Sequence, residues 1–131
     1  VSATAMQPEI GLLMGNLAGI REANTILDPF CGSCSLLLAC SYLCSYYSKG
    51  ACSTFGFDAD AKIGQSANVI AADFKTHNLD PPPITVAGIS VHELESPRVY
   101  DAIVTDPPYS MRASVLDTEP QVPDGGGGEV V

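Results

Sequence analysis

The sequence predicts an α/β fold built on a doubly wound parallel sheet, and three observations carry that prediction. Short apolar, β-forming runs alternate with stretches of helical periodicity, the pattern of strands joined by crossover helices. At 131 residues and 46% hydrophobic content, the chain is one domain's worth and can bury a core. Two of the apolar runs, "ILD" and "AIVTD", end in an acid followed by proline. Rigid polar turns therefore sit at strand ends, where α/β sheets gather their functional loops.

The first element is an amphipathic helix in "MQPEIGLLMGNLAGI". Ile10, Leu13, Met14, Leu17 and Ile20 recur at three-and-four spacing, and Pro8 suits a first turn, where a missing N–H costs nothing. "NTILD" follows as a short buried strand. From Ser33 to Tyr47, "SCSLLLACSYLCSYY" is apolar almost all round, as expected of a helix packed on a sheet. "STFGFD" is the second strand and Asp60 a helix cap. Ile63, Ala67, Ile70 and Phe74 mark the inner face of the next helix, which stops before the breaker "DPPP". "ITVAGI" is the third strand and "YDAIVTD" the fourth. Beyond Arg112 the pattern gives way to a glycine run and scattered acids. This predicts a folded portion over residues 1–112 and a flexible tail over 113–131.

Fifteen acids stand against six bases, a formal charge of −9. A surface that acidic repels a phosphate backbone, so any nucleic-acid substrate is expected to be gripped largely by another domain or subunit. No secretory leader pattern opens the chain and no apolar run is long enough to span a bilayer. Five cysteines, an odd number, fit reduced thiols better than a disulfide framework. A cytoplasmic setting without membrane association is the expectation.

The strand ends carry the chemistry. "DPFCGSCS" follows the first strand and opens a helix; Gly32 lets a ligand approach the backbone, and the helix amino end offers free N–H groups and partial positive charge. The second strand ends in Asp58, where α/β nucleotide binders place an acid against ribose hydroxyls. Those two features alone leave open a simple turn with a solvated acid, or a dinucleotide site. The fourth strand adds "DPPY". Its prolines remove two N–H donors, leaving carbonyls and the Asp106 carboxylate as converging acceptors. Tyr109 adds a flat face on which a base can stack. An acceptor cluster beside a stacking ring is a receptacle for an aromatic amine, which a dinucleotide-dependent oxidoreductase does not explain.

With "FGFDAD" and "DPPY", the stretch "DPFCGSCS" resembles the class I S-adenosylmethionine-dependent methyltransferases that modify exocyclic amines. The wider pattern, from "MQPEIGLLMGNLAGI" to "YDAIVTDPPYSMR", is similar to the THUMP-containing tRNA guanosine N2-methyltransferase family acting at position ten. The resemblance covers roughly residues 5 to 112. It implies a Rossmann-like methyltransferase fold, here truncated after the fourth parallel strand, with S-adenosylmethionine as cofactor. Asp28, Phe30, Cys31 and Gly32 would line the methionine end, with Gln7 and Pro8 nearby, and Asp58 would hold the ribose. Asp106 and the Pro107 carbonyl would accept from the guanine amino group. Pro108 and Tyr109 would meet the base, turned out of the tRNA fold, and Arg112 would touch a phosphate. The implied partners are tRNA, held through a domain not present in this chain, and a small zinc-binding activator subunit. No metal is implied in the site.

Four departures from the family pattern stand out. Cys34 replaces a second glycine, Ile89 stands at the position of an acid that meets adenine, Ser110 replaces a glycine, and later strands and the THUMP module are not encoded. A non-catalytic remnant that keeps a cofactor pocket, and an N6-adenine methyltransferase, are the alternatives within this reading. Cys31 and Cys34 form a C-x-x-C with Cys40 and Cys44 further along the helix, but the spacing matches no zinc module and small cysteines in an apolar helix pack as hydrophobes. His77 and His92 are isolated, and the Tyr42, Tyr46 and Tyr47 group is expected to serve helix packing.

Overall fold

A computed structural model of the chain describes residues 6–48, 50–82, 84–86 and 99–108. Strands β1 (Thr25–Asp28), β2 (Ser53–Asp58), β3 (Ile84–Val86) and β4 (Ala102–Ile103) form one parallel sheet in the order β3-β2-β1-β4. Helix α1 (Pro8–Leu17) precedes β1, and α2 (Ser35–Ser48) carries the chain from β1 to β2. A 3-10 turn (Ala61–Ser66) running into α3 (Ala67–Thr76) carries it from β2 to β3. The chain thus steps outward from β1 to β3 and returns to the other side of β1 for β4. The β1–β4 boundary is therefore the switch point, where α/β sheets open a crevice at their carboxyl ends.

Register explains which side chains form the core. Ile26 aligns with Thr54 and Ala102, and Leu27 with Phe55 and Ile103. Neighbouring side chains alternate between faces, so Ile26 and Val104 meet Leu36, Leu37 and Cys40 of α2 and Ile70 and Phe74 of α3 in one buried cluster. Each large side chain buried there contributes about 1.5–3 kcal/mol. On the other face Ile103 remains 62% exposed, and Phe55 packs edge-on against Tyr100 at 5.9 Å between ring centroids. β4 is short as a ladder but held along more of its length. Asp101 N donates to Thr25 O at 2.8 Å, Thr25 N donates to Asp101 Oδ2 at 2.7 Å, and Val104 N donates to Leu27 O at 3.0 Å.

The α1–α2 contact departs from the apolar stripe. Met14 and Ile20 pack against the core, but Ile10, Leu13 and Leu17 are exposed, and the residues buried from the helix are Gly11 and Gly15. A Cβ on Gly15 would stand 2.6 Å from Leu43 Cδ1, and one on Gly11 would stand 3.0 Å from Ala39 Cβ. Ala39 and Leu43 of α2 thus pack directly on the α1 backbone, so the glycine edge faces inward and the larger apolar residues turn outward.

Three further expectations change in detail. The first helix ends at Leu17, ahead of Gly19 at φ 66°, so Ile20 packs from outside it. The second helix starts at Ser35 instead of Ser33, because Cys34 sits at φ 61°, outside the right-handed helical region. The third begins as a 3-10 turn, which Asp60 caps as expected by accepting from Lys62 N at 2.9 Å. That tighter winding leaves Ala67 exposed, while Ile70 and Phe74 are buried as expected. Tyr42, Tyr46 and Tyr47, expected to serve helix packing, are instead exposed: Tyr42 stacks on Tyr46 and lies edge-on to His77, and Tyr46 meets Tyr47 edge-on. Among the described residues no helix is long and apolar enough to cross a membrane.

Candidate active site at the carboxyl ends of the strands

The pairing of β1 with β4 brings the two Asp-Pro turns side by side. Asp28, the last residue of β1, is 1% exposed, and its Oδ1 accepts from Phe30 N at 3.0 Å. This small Asx turn starts the loop, which then crosses to the end of β2. Cys31 N donates to Phe57 O at 2.9 Å, and Gly32 N donates to Asp58 Oδ2 at 2.9 Å. The other Asp58 oxygen accepts from Asp60 N at 2.8 Å. Asp58 therefore organises both its own turn and the loop after β1. It remains only half-buried, and each of its oxygens keeps a lone pair.

Gly32 is conformationally required, with φ 46°, and a Cβ on it would meet nothing within 4 Å. The loop thus leaves open space beside the Gly32 Cα, just ahead of α2. Cys34 adopts a left-handed conformation usual for glycine, and its side chain is fully buried. Cys31 hydrogen-bonds to Cys34 and fills the space over Gly56, where a Cβ would fall 2.9 Å from Cys31 Sγ. That contact, with burial, pushes the Cys31 thiol far up and keeps it neutral. Cys31 and Cys34 are packed in the core, and Cys40 and Cys44 are likewise buried. Among the described residues no three of His, Cys, Asp and Glu are arranged to hold a metal ion.

Three carboxylates converge here. Burial pushes Asp28 above its usual range, and repulsion from Asp58 and Asp106 adds to the rise. Thr105 lies close enough to favour the charged form of Asp28. Its buried Oγ1 has no partner at hydrogen-bonding geometry among the described residues. Asp106, Pro107 and Pro108 follow directly and are exposed.

The structure therefore gathers Asp28, Phe30, Cys31, Gly32, Asp58 and Asp106 at one end of the sheet. Gln7 and Pro8 start α1, where the Gln7 carbonyl accepts from Ile10 N and Gly11 N. Pro8 is also part of an apolar groove with Met6, Leu12, Leu38 and Tyr42 on the helical side. Ile89, Tyr109 and Arg112 lie outside the described residues. Thr105 was not singled out from the sequence, although a β-branched polar residue closing an apolar strand just before an acid is a readable signal.

Residues 2–119 match the family described as UPF0020, RMKL-like, methyltransferase domain. The chain is 30% identical over 120 residues to a tRNA (guanine(10)-N(2))-methyltransferase of Dictyostelium discoideum, covering 86% of this chain and 22% of that protein. It is 30% identical over 110 residues to a tRNA (guanine(10)-N2)-dimethyltransferase of Methanothermobacter thermautotrophicus, covering 84% and 29%. The chain thus spans well under half the length of these curated relatives. In fold it is similar to TrmN from Thermus thermophilus, with a TM-score of 0.59 at 20% identity, covering 82% of this chain and 30% of that one. The four-stranded parallel sheet is a class I methyltransferase sheet, and the chain belongs to the RMKL-like methyltransferase domain family.

Proposed function

We propose that this chain is the cofactor-binding and amine-activating portion of an enzyme that methylates the exocyclic N2 amine of a guanosine in tRNA, using S-adenosylmethionine. The observation that carries the reading is the β1–β4 pairing, which sets the latched Gly32–Asp58 loop beside Asp106 and Pro107 at the switch point. The open space at Gly32 and the spare acceptor capacity of Asp58 fit the cofactor. When bound, S-adenosylmethionine supplies an electrophilic methyl group on its sulfonium.

This chain's residues supply position and charge. Gly32, Phe30, Cys31 and Asp28 shape the methionine end with Gln7 and Pro8 beside it, Asp58 accepts from the ribose hydroxyls, and Ile89 covers adenine by apolar contact. An aryl amine is a poor nucleophile because its lone pair is delocalised into the ring. Asp106 and the Pro107 carbonyl accept from its two N–H bonds, which localises the lone pair toward the methyl group. The carboxylate then stabilises the positive charge that develops on nitrogen. Pro108 and Tyr109 hold the base in place, and Arg112 meets a phosphate.

A chain with a net charge of −9 has little means of holding a polyanion, so another RNA-gripping domain holds the tRNA. A small zinc-binding activator subunit, working in the cytoplasm, completes the reading, with 1–112 as the folded portion and 113–131 as a tail. The test is calorimetric titration of the purified chain with S-adenosylmethionine and, separately, with NAD, followed by a methyl-transfer assay on unmodified tRNA. The expected result is binding of S-adenosylmethionine alone and no N2-methylguanosine from the chain by itself. Binding of NAD and not S-adenosylmethionine would overturn the reading.

A further inference from the structure

The amino end of the sheet, opposite the methyltransferase site, holds a second group of chemically competent side chains. A cavity of about 260 Å³ lies there. Ser41 and Ser45 of α2, Cys52 at the foot of β2, and Asn78 and Asp80 ahead of β3 are among its lining residues. Cys52 is half-buried, whereas Cys40 and Cys44, one helical turn apart on α2, are buried behind it.

The Cys52 thiol points at the carbonyl oxygen of Cys40, 4.0 Å away. In an α-helix that carbonyl is aimed along the axis toward residue 44, so the Cys52 sulfur rests on the turn that carries Cys44. Cys44 lies beside Cys52, and its S–H donates to Arg21 O at 3.5 Å. One thiol thus lines the cavity while a second touches it from inside the core. A hydroperoxide is scarcely larger than water, whose share of liquid volume is about 30 Å³. The cavity admits it readily, and serine hydroxyls and an amide are at hand to hydrogen-bond it.

We infer that Cys52 is a peroxide-reactive thiol and that Cys44 resolves it into a Cys44–Cys52 disulfide. In the first step the Cys52 sulfur attacks one peroxide oxygen and the O–O bond breaks. The thiol proton joins the departing hydroxide as water, leaving Cys52 as a sulfenic acid. In the second, the Cys44 sulfur attacks the Cys52 sulfur and the S–O bond breaks. The Cys44 proton leaves with the hydroxide as a second water. The two thiols lose two electrons and the peroxide gains them. Cys40 and Cys44 are buried and do not line the cavity, so neither meets the peroxide first. The bond ties the last turn of α2 to the entry of β2. In a reducing compartment it is transient.

The test treats the purified 131-residue chain with stoichiometric hydrogen peroxide, blocks free thiols and maps disulfides by mass spectrometry. The Cys44–Cys52 link is expected as the dominant product, with Cys31, Cys34 and Cys40 recovered as thiols. In Cys44→Ser, Cys52 is expected to accumulate as a sulfenic acid captured by dimedone; in Cys52→Ser, no link to Cys44 is expected. The map needs no variant, so a misfolded substitution does not decide the matter. A dominant Cys31–Cys34 or Cys40–Cys44 link, or unmodified Cys52 under conditions that oxidise other thiols, would overturn the inference.

Discussion

The two halves of the site are built differently. The half formed by the loop after β1 and the end of β2 is locked by backbone hydrogen bonds. Cys31 N is held by Phe57 O, and Gly32 N and Asp60 N by the two oxygens of Asp58, over a floor of buried Cys31 and Cys34. The half formed by Asp106, Pro107 and Pro108 is exposed and hangs from a two-residue strand whose ladder partner is β1. Prolines, which need no N–H partner, are the residues that tolerate such a position. The loop half is fixed in advance by its own hydrogen bonds, and the acceptor half is left open to approach.

This contrast can be broken at defined places. The largest effect belongs to the open half: in a complete enzyme carrying this domain, Asp106→Ala is expected to lower methyl transfer by roughly a hundred-fold or more, because it removes an acceptor aimed at developing charge. Single-turnover rates on unmodified tRNA would check this, and a normal rate would mean that the amine is activated elsewhere. In the locked half, Asp58→Ala leaves the Gly32 and Asp60 N–H groups without their acceptor. The loop loses the acceptor that fixes it and the ribose loses its own, so S-adenosylmethionine affinity is expected to fall roughly tenfold or more.

Asp28 joins the halves. Its folded-state value is raised, so between the usual value of 3.8 and the raised one the folded chain holds the extra proton, and stability falls as pH rises through that window. Asp28→Asn keeps an acceptor for Phe30 N and removes the buried charge. Its urea midpoint should exceed that of the parent at pH 7, with the gap closing toward pH 3; a constant gap would show that Asp28 costs nothing when ionised. The smallest effect belongs to Cys34, at φ 61°. Cys34→Gly relieves about 1–2 kcal/mol of left-handed strain that Cys34→Ala retains. Denaturation of the two variants should therefore place glycine above alanine, and the reverse order would show that the strain is absent.

Much of this was legible in the sequence, because strand ends announce themselves through residues with few alternative uses. Asp28, Asp58 and Asp106 each close an apolar run, and the fold placed all three at one edge. Asp60 was readable as a cap for the same reason. The helical layer was less legible, since periodicity finds an apolar face but not how near a neighbour comes. Ile10, Leu13 and Leu17 have the right spacing and are exposed, because Gly11 and Gly15 let Ala39 and Leu43 of α2 pack on the helix backbone. Their own four-residue spacing was the available signal. The latch from Cys31 N to Phe57 O is made entirely of backbone and leaves no mark on residue identity.

The central claim is that the cofactor half is complete in this chain and independent of the acceptor half. Calorimetric titration of S-adenosylmethionine into the parent, Asp58→Ala and Asp106→Ala chains tests it most directly. The account predicts clear binding by the parent, affinity weakened roughly tenfold or more in Asp58→Ala, and affinity close to the parent's in Asp106→Ala. Equal binding by the parent and Asp58→Ala, or loss of binding in Asp106→Ala alone, would contradict it.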